Sequence, residues 1–116
     1  MVEPGLEGRS ERQVDRSLMT MHVGGRGVFA TPSMILLMEQ TAHSSVEAQL
    51  PEGFTTVGYE VCVRHLSPVR EGETVVVSSR VTEVNGNRLL FEVECRNGET
   101  MVGSGTHRRA IVPAFT

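Results

Sequence analysis

The stretch from Thr31 to Leu50 constrains the fold more than any other part of the chain. It opens Thr-Pro-Ser-Met-Ile-Leu-Leu-Met-Glu, which predicts the start of a helix, because Thr31 can cap free backbone N–H groups and Pro32 suits the first helical position. The first two turns are apolar nearly all round, which is typical of a helix covered by other structure. One carboxylate, Glu39, lies within this apolar surface, on a stripe that it shares with Ile35, Ala42 and Val46. A buried, unpaired carboxylate is costly, so Glu39 is expected to be neutralised, paired or used in chemistry.

Turn signals divide the rest of the chain into strands. Asn85-Gly86 and Asn97-Gly98 are strong hairpin signals, and alternating patterns predict strands at 12–22, 56–65, 74–84, 88–96 and 100–112. The order of one strand, one helix and four strands favours an α+β fold with an antiparallel sheet. Residues 1–11 are interpreted as a flexible arm, and residues 12–116 as a single domain.

The predicted strand at 56–65 ends in a histidine. Its period-two pattern places one set of side chains on a core-facing row: Val57, Tyr59, Val61, Val63 and His65. Cys62 and Cys95 lie in apolar strand-like runs without metal-ligand spacing, and we interpret them as reduced core residues of a cytoplasmic protein.

Composition argues against several classes of partner. The net charge of −3 and the pI near 5.8 give no reason to expect nucleic acid. The longest apolar run is far too short for a membrane span, and the N-terminus does not resemble a signal peptide. We therefore expect a protein that binds neither nucleic acid nor a membrane. We also expect no metal, because the sequence shows no cluster of metal ligands.

Three side chains could carry chemistry: Thr31, Glu39 and His65. Each also has a purely structural interpretation, since Thr31 could simply cap the helix and His65 could be a half-buried histidine with its hydrogen bonds satisfied. Glu39 could be held by an arginine from a partner subunit. Eight residues of helix rotate about 80° beyond two turns, so spacing alone does not bring Thr31 and Glu39 onto one line.

Several motifs together resemble the fluoroacetyl-CoA thioesterase-like family. They are Val28-Phe29-Ala30-Thr31, Leu37-Met38-Glu39, Gly58, Cys62-Val63-Arg64-His65 and Gly103-Ser104-Gly105-Thr106-His107-Arg108-Arg109-Ala110. The resemblance covers roughly residues 12–112 and implies the hotdog fold, in which an antiparallel sheet wraps around one long central helix. It also implies a homodimer, which the sheet edge left exposed in a single subunit favours as well, and it leaves a dimer of dimers open.

The resemblance implies an acyl-CoA thioesterase with a catalytic set of Thr31, Glu39 and His65. The family's glycine whose backbone contacts the substrate carbonyl corresponds to Gly58, and its arginine facing the coenzyme A moiety corresponds to Arg109. No cofactor is implied, because coenzyme A is part of the substrate.

Two departures from the family pattern bear on specificity. Arg108 stands where a family member has an acidic residue. The segment His22–Gly27 is short and glycine-rich, whereas the specialised fluoroacetyl enzyme has a longer segment that supplies an aromatic lid. We therefore expect hydrolysis of short acyl-CoA thioesters in general rather than selectivity for fluoroacetyl-CoA.

Two other functions fit the same fold. A non-catalytic hotdog dimer could bind acyl-CoA as a sensor or assembly module, but such a module needs no base. A hydratase or dehydratase usually pairs an aspartate with a histidine close by in sequence, and this chain has no such pair.

Overall fold

The computed structural model describes residues 1–115 and consists of one α-helix and seven strands. In chain order these are β1 Glu7–Gln13, β2 Met19–Thr20, β3 Val28–Phe29, α1 Thr31–Glu47, β4 Phe54–His65, β5 Thr74–Asn85, β6 Arg88–Asn97 and β7 Thr100–Pro113. Five strands form an antiparallel sheet in the order β1-β5-β6-β7-β4, and β2 pairs with β3. The predicted α+β class is confirmed.

The helix packs across one face of the sheet and buries the core there. It contacts β1, β4, β5 and β6. Apolar side chains from both layers are at most 7% exposed, among them Met34, Leu37, Met38, Ala42, Val46, Val75, Val77, Leu89, Phe91, Val93 and Val102. The opposite side of the helix is open in this chain, since Leu36 is 52% exposed.

Both predicted Asn-Gly hairpins are confirmed. Asn85 pairs with Arg88 across the first turn, and Asn97 pairs with Thr100 across the second. The glycines, Gly86 and Gly98, have φ of 62° and 59°, a left-handed conformation that is natural only for a residue without Cβ.

The prediction for the N-terminal region is wrong in two places. Residues 7–13 form β1, so the arm predicted over residues 1–11 overlaps a strand that pairs with β5. The strand predicted at 12–22 is interrupted by a 3₁₀ turn, Arg16–Leu18, where the Asp15 side chain accepts a hydrogen bond from the Ser17 backbone N–H at 2.9 Å. An aspartate in this capping position favours a turn over a continuing strand.

The two ends of the helix also differ from the prediction. Ala30, with extended backbone, is the N-cap, and Thr31 is already the first helical residue. The N–H groups of Ser33 and Met34 therefore bond to the Ala30 carbonyl, and the Thr31 hydroxyl is free for another partner. The helix ends at Glu47 rather than Leu50, with Ala48 as its C-cap.

A β-bulge changes which side of β4 faces the helix. The pairing of β4 with β7 shifts register between Gly58 and Glu60, and one extra residue moves subsequent side chains to the other face. Val57 and Tyr59 are therefore 44% and 45% exposed, contrary to the predicted core-facing row. Beyond the bulge, Val61, Val63 and His65 are half-buried as predicted, and Cys62 is exposed on the other face rather than in the core.

Candidate functional site

The first half of the site lies at the N-terminus of α1. Because Ala30 is the cap, the Thr31 side chain reaches the last residue of β4, and Thr31 Oγ1 lies 2.7 Å from His65 Nδ1. Phe29 meets the His65 ring edge-on, with the ring centroids 6.0 Å apart. The pair borders an open groove of about 340 Å³ whose lining also includes His22 and Leu66.

The electrostatics of His65 favour its neutral form. Burial lowers its pKa below the ordinary value, and the nearby carbonyl of Ser67 opposes that shift. Nε2 is buried and has no hydrogen-bond partner among residues 1–115. A neutral His65 can accept the Thr31 O–H at Nδ1, which polarises the hydroxyl.

The second half of the site surrounds Glu39, about two turns further along α1. Glu39 is half-buried and lines a groove of about 410 Å³ together with Leu36, Gln40, His43, Ser44 and Arg109. Within the described chain the Glu39 carboxylate makes neither a hydrogen bond nor an ion pair. It is therefore available to a bound molecule.

Arg109 fixes a positive charge beside that carboxylate. Its side chain is on β7 and the residue is 6% exposed, so the structure excludes a surface role. Nε donates to Thr56 Oγ1 at 2.8 Å, and Nη2 donates to the Thr56 carbonyl at 3.0 Å. Burial lowers the pKa of Arg109, while the negative charges of Glu39 and Glu47 oppose that shift. A guanidinium stays protonated in proteins, so Arg109 remains a donor.

His107 joins this half of the site, although no role was predicted for it from the sequence. It is 1% exposed, with Nδ1 2.8 Å from the Glu60 carbonyl and Nε2 3.1 Å from Arg109 Nη1. Burial lowers its pKa, and the positive charge of Arg109 lowers it further, against the Glu60 carbonyl and the charge of Glu39. The sequence does carry a signal for His107. Alternate residues of a strand share one face, and those of the last strand are Gly103, Gly105, His107 and Arg109.

Gly58 leaves a small space at the centre of the second half. A methyl group built on it would lie 2.9 Å from His107 Cε1, 3.1 Å from Arg109 Nη1 and 3.4 Å from Glu39 Oε2. A side chain at this position would displace at least the histidine ring. The Cα of Gly58 therefore faces the same space as the carboxylate and the guanidinium.

The structure thus groups the five predicted site residues into two sets. Thr31 and His65 are in contact, and Glu39, Gly58 and Arg109 surround one space. The two sets do not meet through a hydrogen bond within the described chain. Eight residues of helix separate Thr31 from Glu39, which corresponds to roughly 12 Å along the axis.

Two other sequence expectations concern metals and membranes. Residues 1–115 contain no group of three or more His, Cys, Asp or Glu side chains placed to hold a metal ion. No helix in the same residues is long and apolar enough to cross a membrane.

Comparisons with known proteins point to one family. The model of the fluoroacetyl-CoA-specific thioesterase family matches residues 13–114. The fluoroacetyl-CoA thioesterase of Streptantibioticus cattleyicolor is 36% identical over 85 residues, which are 73% of this chain and 61% of that protein. The chain therefore aligns with less than two thirds of that relative's length.

Solved structures agree in fold. A variant of the fluoroacetyl-CoA-specific thioesterase, in complex with fluoroacetate and CoA, is 28% identical with a TM-score of 0.88, covering 97% of this chain and 96% of that one. The hot-dog-like protein from Thermanaerovibrio acidaminovorans is 26% identical with a TM-score of 0.87, covering 96% of this chain and 84% of that one. The predicted hotdog fold is confirmed.

Proposed function

The chain belongs to the fluoroacetyl-CoA-specific thioesterase family, and we propose that it hydrolyses short acyl-CoA thioesters to the free acid and coenzyme A. The observation that carries the proposal is the Glu39 carboxylate, half-buried in a groove, without a hydrogen bond in the described chain and beside the buried cation of Arg109. A related structure holds fluoroacetate and CoA, which supports an acyl-CoA as the substrate.

Glu39 is the proposed base. Hydrolysis requires water to add to the thioester carbonyl, and Glu39 would take the proton that the water loses and return it to the departing sulfur. Direct attack by Glu39, which gives a mixed anhydride that water then hydrolyses, uses the same carboxylate. Both routes need an unpaired Glu39 carboxylate. Replacing it by the amide of glutamine, in Glu39→Gln, removes both.

Thr31 and His65 are proposed to position the reacting group. A neutral His65 accepts the Thr31 hydroxyl hydrogen at Nδ1, so the Thr31 oxygen presents its lone pairs to water or to the acyl group. The N-terminus of α1 lies next to this oxygen, and the positive end of the helix dipole there favours developing negative charge.

Gly58 and Arg109 are proposed to bind the substrate. The Gly58 backbone borders the space beside Glu39, where the substrate carbonyl would approach closely. We propose that Arg109 contacts the part of the acyl-CoA that lies nearest Glu39, because the Arg109 guanidinium is buried beside Glu39 and anchored on Thr56. A planar guanidinium with N–H donors suits oxygen atoms of either the acyl or the coenzyme A part.

We place this activity in a homodimer. β4 is an edge strand of twelve residues, and the described sheet has no strand beyond it. Apolar side chains on it are exposed, with Phe54 at 42%, Val57 at 44% and Tyr59 at 45%. A long edge with apolar side chains favours pairing with another chain. Sedimentation should find a dimer, and a stable folded monomer at micromolar concentration would contradict it.

The function is tested with a panel of short acyl-CoAs and a readout of free thiol. Thiol release by the wild type, strongly reduced in Glu39→Gln, is the expected result. Binding of acyl-CoA without thiol release would instead support the non-catalytic binding dimer. Addition of water to an enoyl-CoA would support a hydratase.

A further inference from the structure

His107 is a buried titratable side chain next to the proposed base, and the proposed function gives it no task. Its ring stacks on Phe91, with the centroids 6.1 Å apart and the planes at 29°. Packing alone would be served by an apolar ring. Both nitrogens of His107 nevertheless have polar partners, so the imidazole does more than fill the core.

The partners of the two nitrogens fix the tautomer. Nδ1 lies 2.8 Å from the carbonyl oxygen of Glu60, which can only accept, so Nδ1 carries the hydrogen. Nε2 is then the acceptor, and Arg109 Nη1 lies 3.1 Å from it as an obligatory donor. The β-bulge of β4 supplies this carbonyl, because the register shifts between Gly58 and Glu60.

Arg109 contacts three residues. His43 Nδ1 lies 3.5 Å from Nη2, Thr56 accepts from Nε and Nη2, and His107 is the residue that contacts Nη1. The bonds to Thr56 hold the far edge of the guanidinium. Nη1 is the nitrogen closest to the space over Gly58. A neutral His107 takes one Nη1 hydrogen and leaves the other for the groove.

We propose that His107 is a positioning residue, which holds Arg109 Nη1 toward the space shared by Glu39 and Gly58 through its Nε2 acceptor. The proposal rests on the proposed function, in which Arg109 binds substrate in that space. It predicts that His107 affects substrate binding only while Arg109 is present. A structural role, in which His107 merely secures the bulge through the Glu60 carbonyl, predicts an effect that is independent of Arg109.

Two amide substitutions separate these roles, because each keeps one of the two hydrogen bonds. Gln carries an acceptor near the position of Nε2, and Asn carries a donor near the position of Nδ1. His107→Gln should therefore retain a KM close to that of the wild type, whereas His107→Asn should raise KM roughly tenfold with kcat little changed, the pattern of lost uniform binding. A structural role through Glu60 predicts the opposite ranking.

A double-mutant cycle then tests whether His107 acts through Arg109. His107→Asn should cost nothing further in kcat/KM when added to Arg109→Ala. An equal cost in both backgrounds would overturn the proposal. If Arg109→Ala does not fold, Arg109→Lys serves in its place, because it keeps the charge but loses the guanidinium fork.

Nitrogen NMR of the histidine side chains provides a readout that does not need turnover. Nδ1 of His107 should be protonated and Nε2 unprotonated near neutral pH, and the reverse would overturn the proposal. If the wild type binds acyl-CoA without hydrolysing it, the proposed function fails, and the dissociation constants of His107→Asn and His107→Gln decide the His107 proposal. A wild type that neither binds nor hydrolyses acyl-CoA would overturn both.

Discussion

The two halves of the site, the Thr31–His65 pair and the surroundings of Glu39, each use one residue of α1 but are built differently. The Thr31–His65 pair is open on the Thr31 side, because Thr31 is exposed, and the buried His65 Nε2 has no hydrogen-bond partner among residues 1–115. Around Glu39, by contrast, the guanidinium of Arg109 is buried and anchored on both edges. The first half depends on a single neutral hydrogen bond, and the second places fixed charge beside a free carboxylate. Charges that are organised in advance contribute more to catalysis than one neutral hydrogen bond, so the two halves should differ in the cost of their removal.

The largest effect is expected from Glu39→Gln. The substitution keeps the shape and removes the base, so kcat should fall at least ~10²-fold. The thermal midpoint should stay near that of the wild type, because no hydrogen bond of Glu39 within the described chain is lost. Both quantities are measured on one preparation.

Glu47→Gln is the matched control for this prediction. It makes the same chemical change on the same helix at an exposed residue, whose carboxylate lies 3.6 Å from His43 Nε2. Its kcat should remain close to that of the wild type. A stable and fully active Glu39→Gln would exclude Glu39 as the base, and a destabilised one with normal activity per folded molecule would make it structural.

The next largest effect is expected from Thr31→Val, which removes the hydroxyl and keeps the branched shape. The loss of one hydrogen bond of about 1–1.5 kcal/mol corresponds to roughly tenfold in kcat/KM. Thr20→Val is the matched control, because Thr20 Oγ1 lies 2.7 Å from His22 Nδ1 in a second Thr–His pair of the same groove. Equal losses in both variants would show that the groove as a whole, rather than the Thr31–His65 pair, affects the rate.

A smaller effect is expected from acidification. Burial lowers the pKa of His65, so the neutral form should still exceed half at pH 6.5, the usual pKa of histidine. Between pH 8 and pH 6.5, kcat/KM should therefore change less than about twofold and fall only at lower pH. Protonation of buried histidines also favours the unfolded chain, so stability should be lost as the pH falls through the folded pKa. A loss of activity centred above pH 6.5 would contradict a neutral His65.

The helix and the hairpins could be predicted because their signals are local. Pro32 and the apolar run define α1, and an Asn-Gly pair fixes each turn regardless of its surroundings. β1 could not be predicted, because its sequence, Glu-Gly-Arg-Ser-Glu-Arg-Gln, has no alternation of apolar and polar residues. The strand lies at the sheet edge and forms by pairing with β5. Strand formation of this kind is set by neighbours rather than by propensity.

The family resemblance named the candidate site residues, but it did not predict their grouping in space. Thr31 was expected to cap the helix, and a one-residue difference in the cap frees it for His65. The bulge at Gly58 decides which β4 side chains face the helix, and it depends on the partner strand rather than on β4 alone. His107 was missed because its contacts with Glu60 and Arg109 arise only when β7 lies beside that bulge.

The groove beside the Thr31–His65 pair bears on acyl selectivity. Its walls include His22, Val23, Phe29 and Leu66. The segment between β2 and β3 is exposed at Val23, which is 58% accessible. Gly24, Gly25 and Gly27 all have positive φ, so the segment turns back tightly. It contributes no phenylalanine, tyrosine or tryptophan.

Little effect is therefore expected from replacing acetyl-CoA by fluoroacetyl-CoA. Fluorine adds little volume, and discrimination between such similar acyl groups needs closely fitting contacts around the acyl carbon or exclusion of water from it. A groove without an aromatic cover supplies neither, so kcat/KM for the two substrates should agree within about threefold, or roughly 0.6 kcal/mol. The comparison is made with both substrates on one preparation, with Val23→Phe as the complementary variant. If an aromatic cover is what selectivity requires, Val23→Phe should raise the ratio in favour of the fluorinated substrate. A large ratio in the wild type would show that selectivity arises elsewhere, and the anchored charge around Glu39 would then be the next region to test.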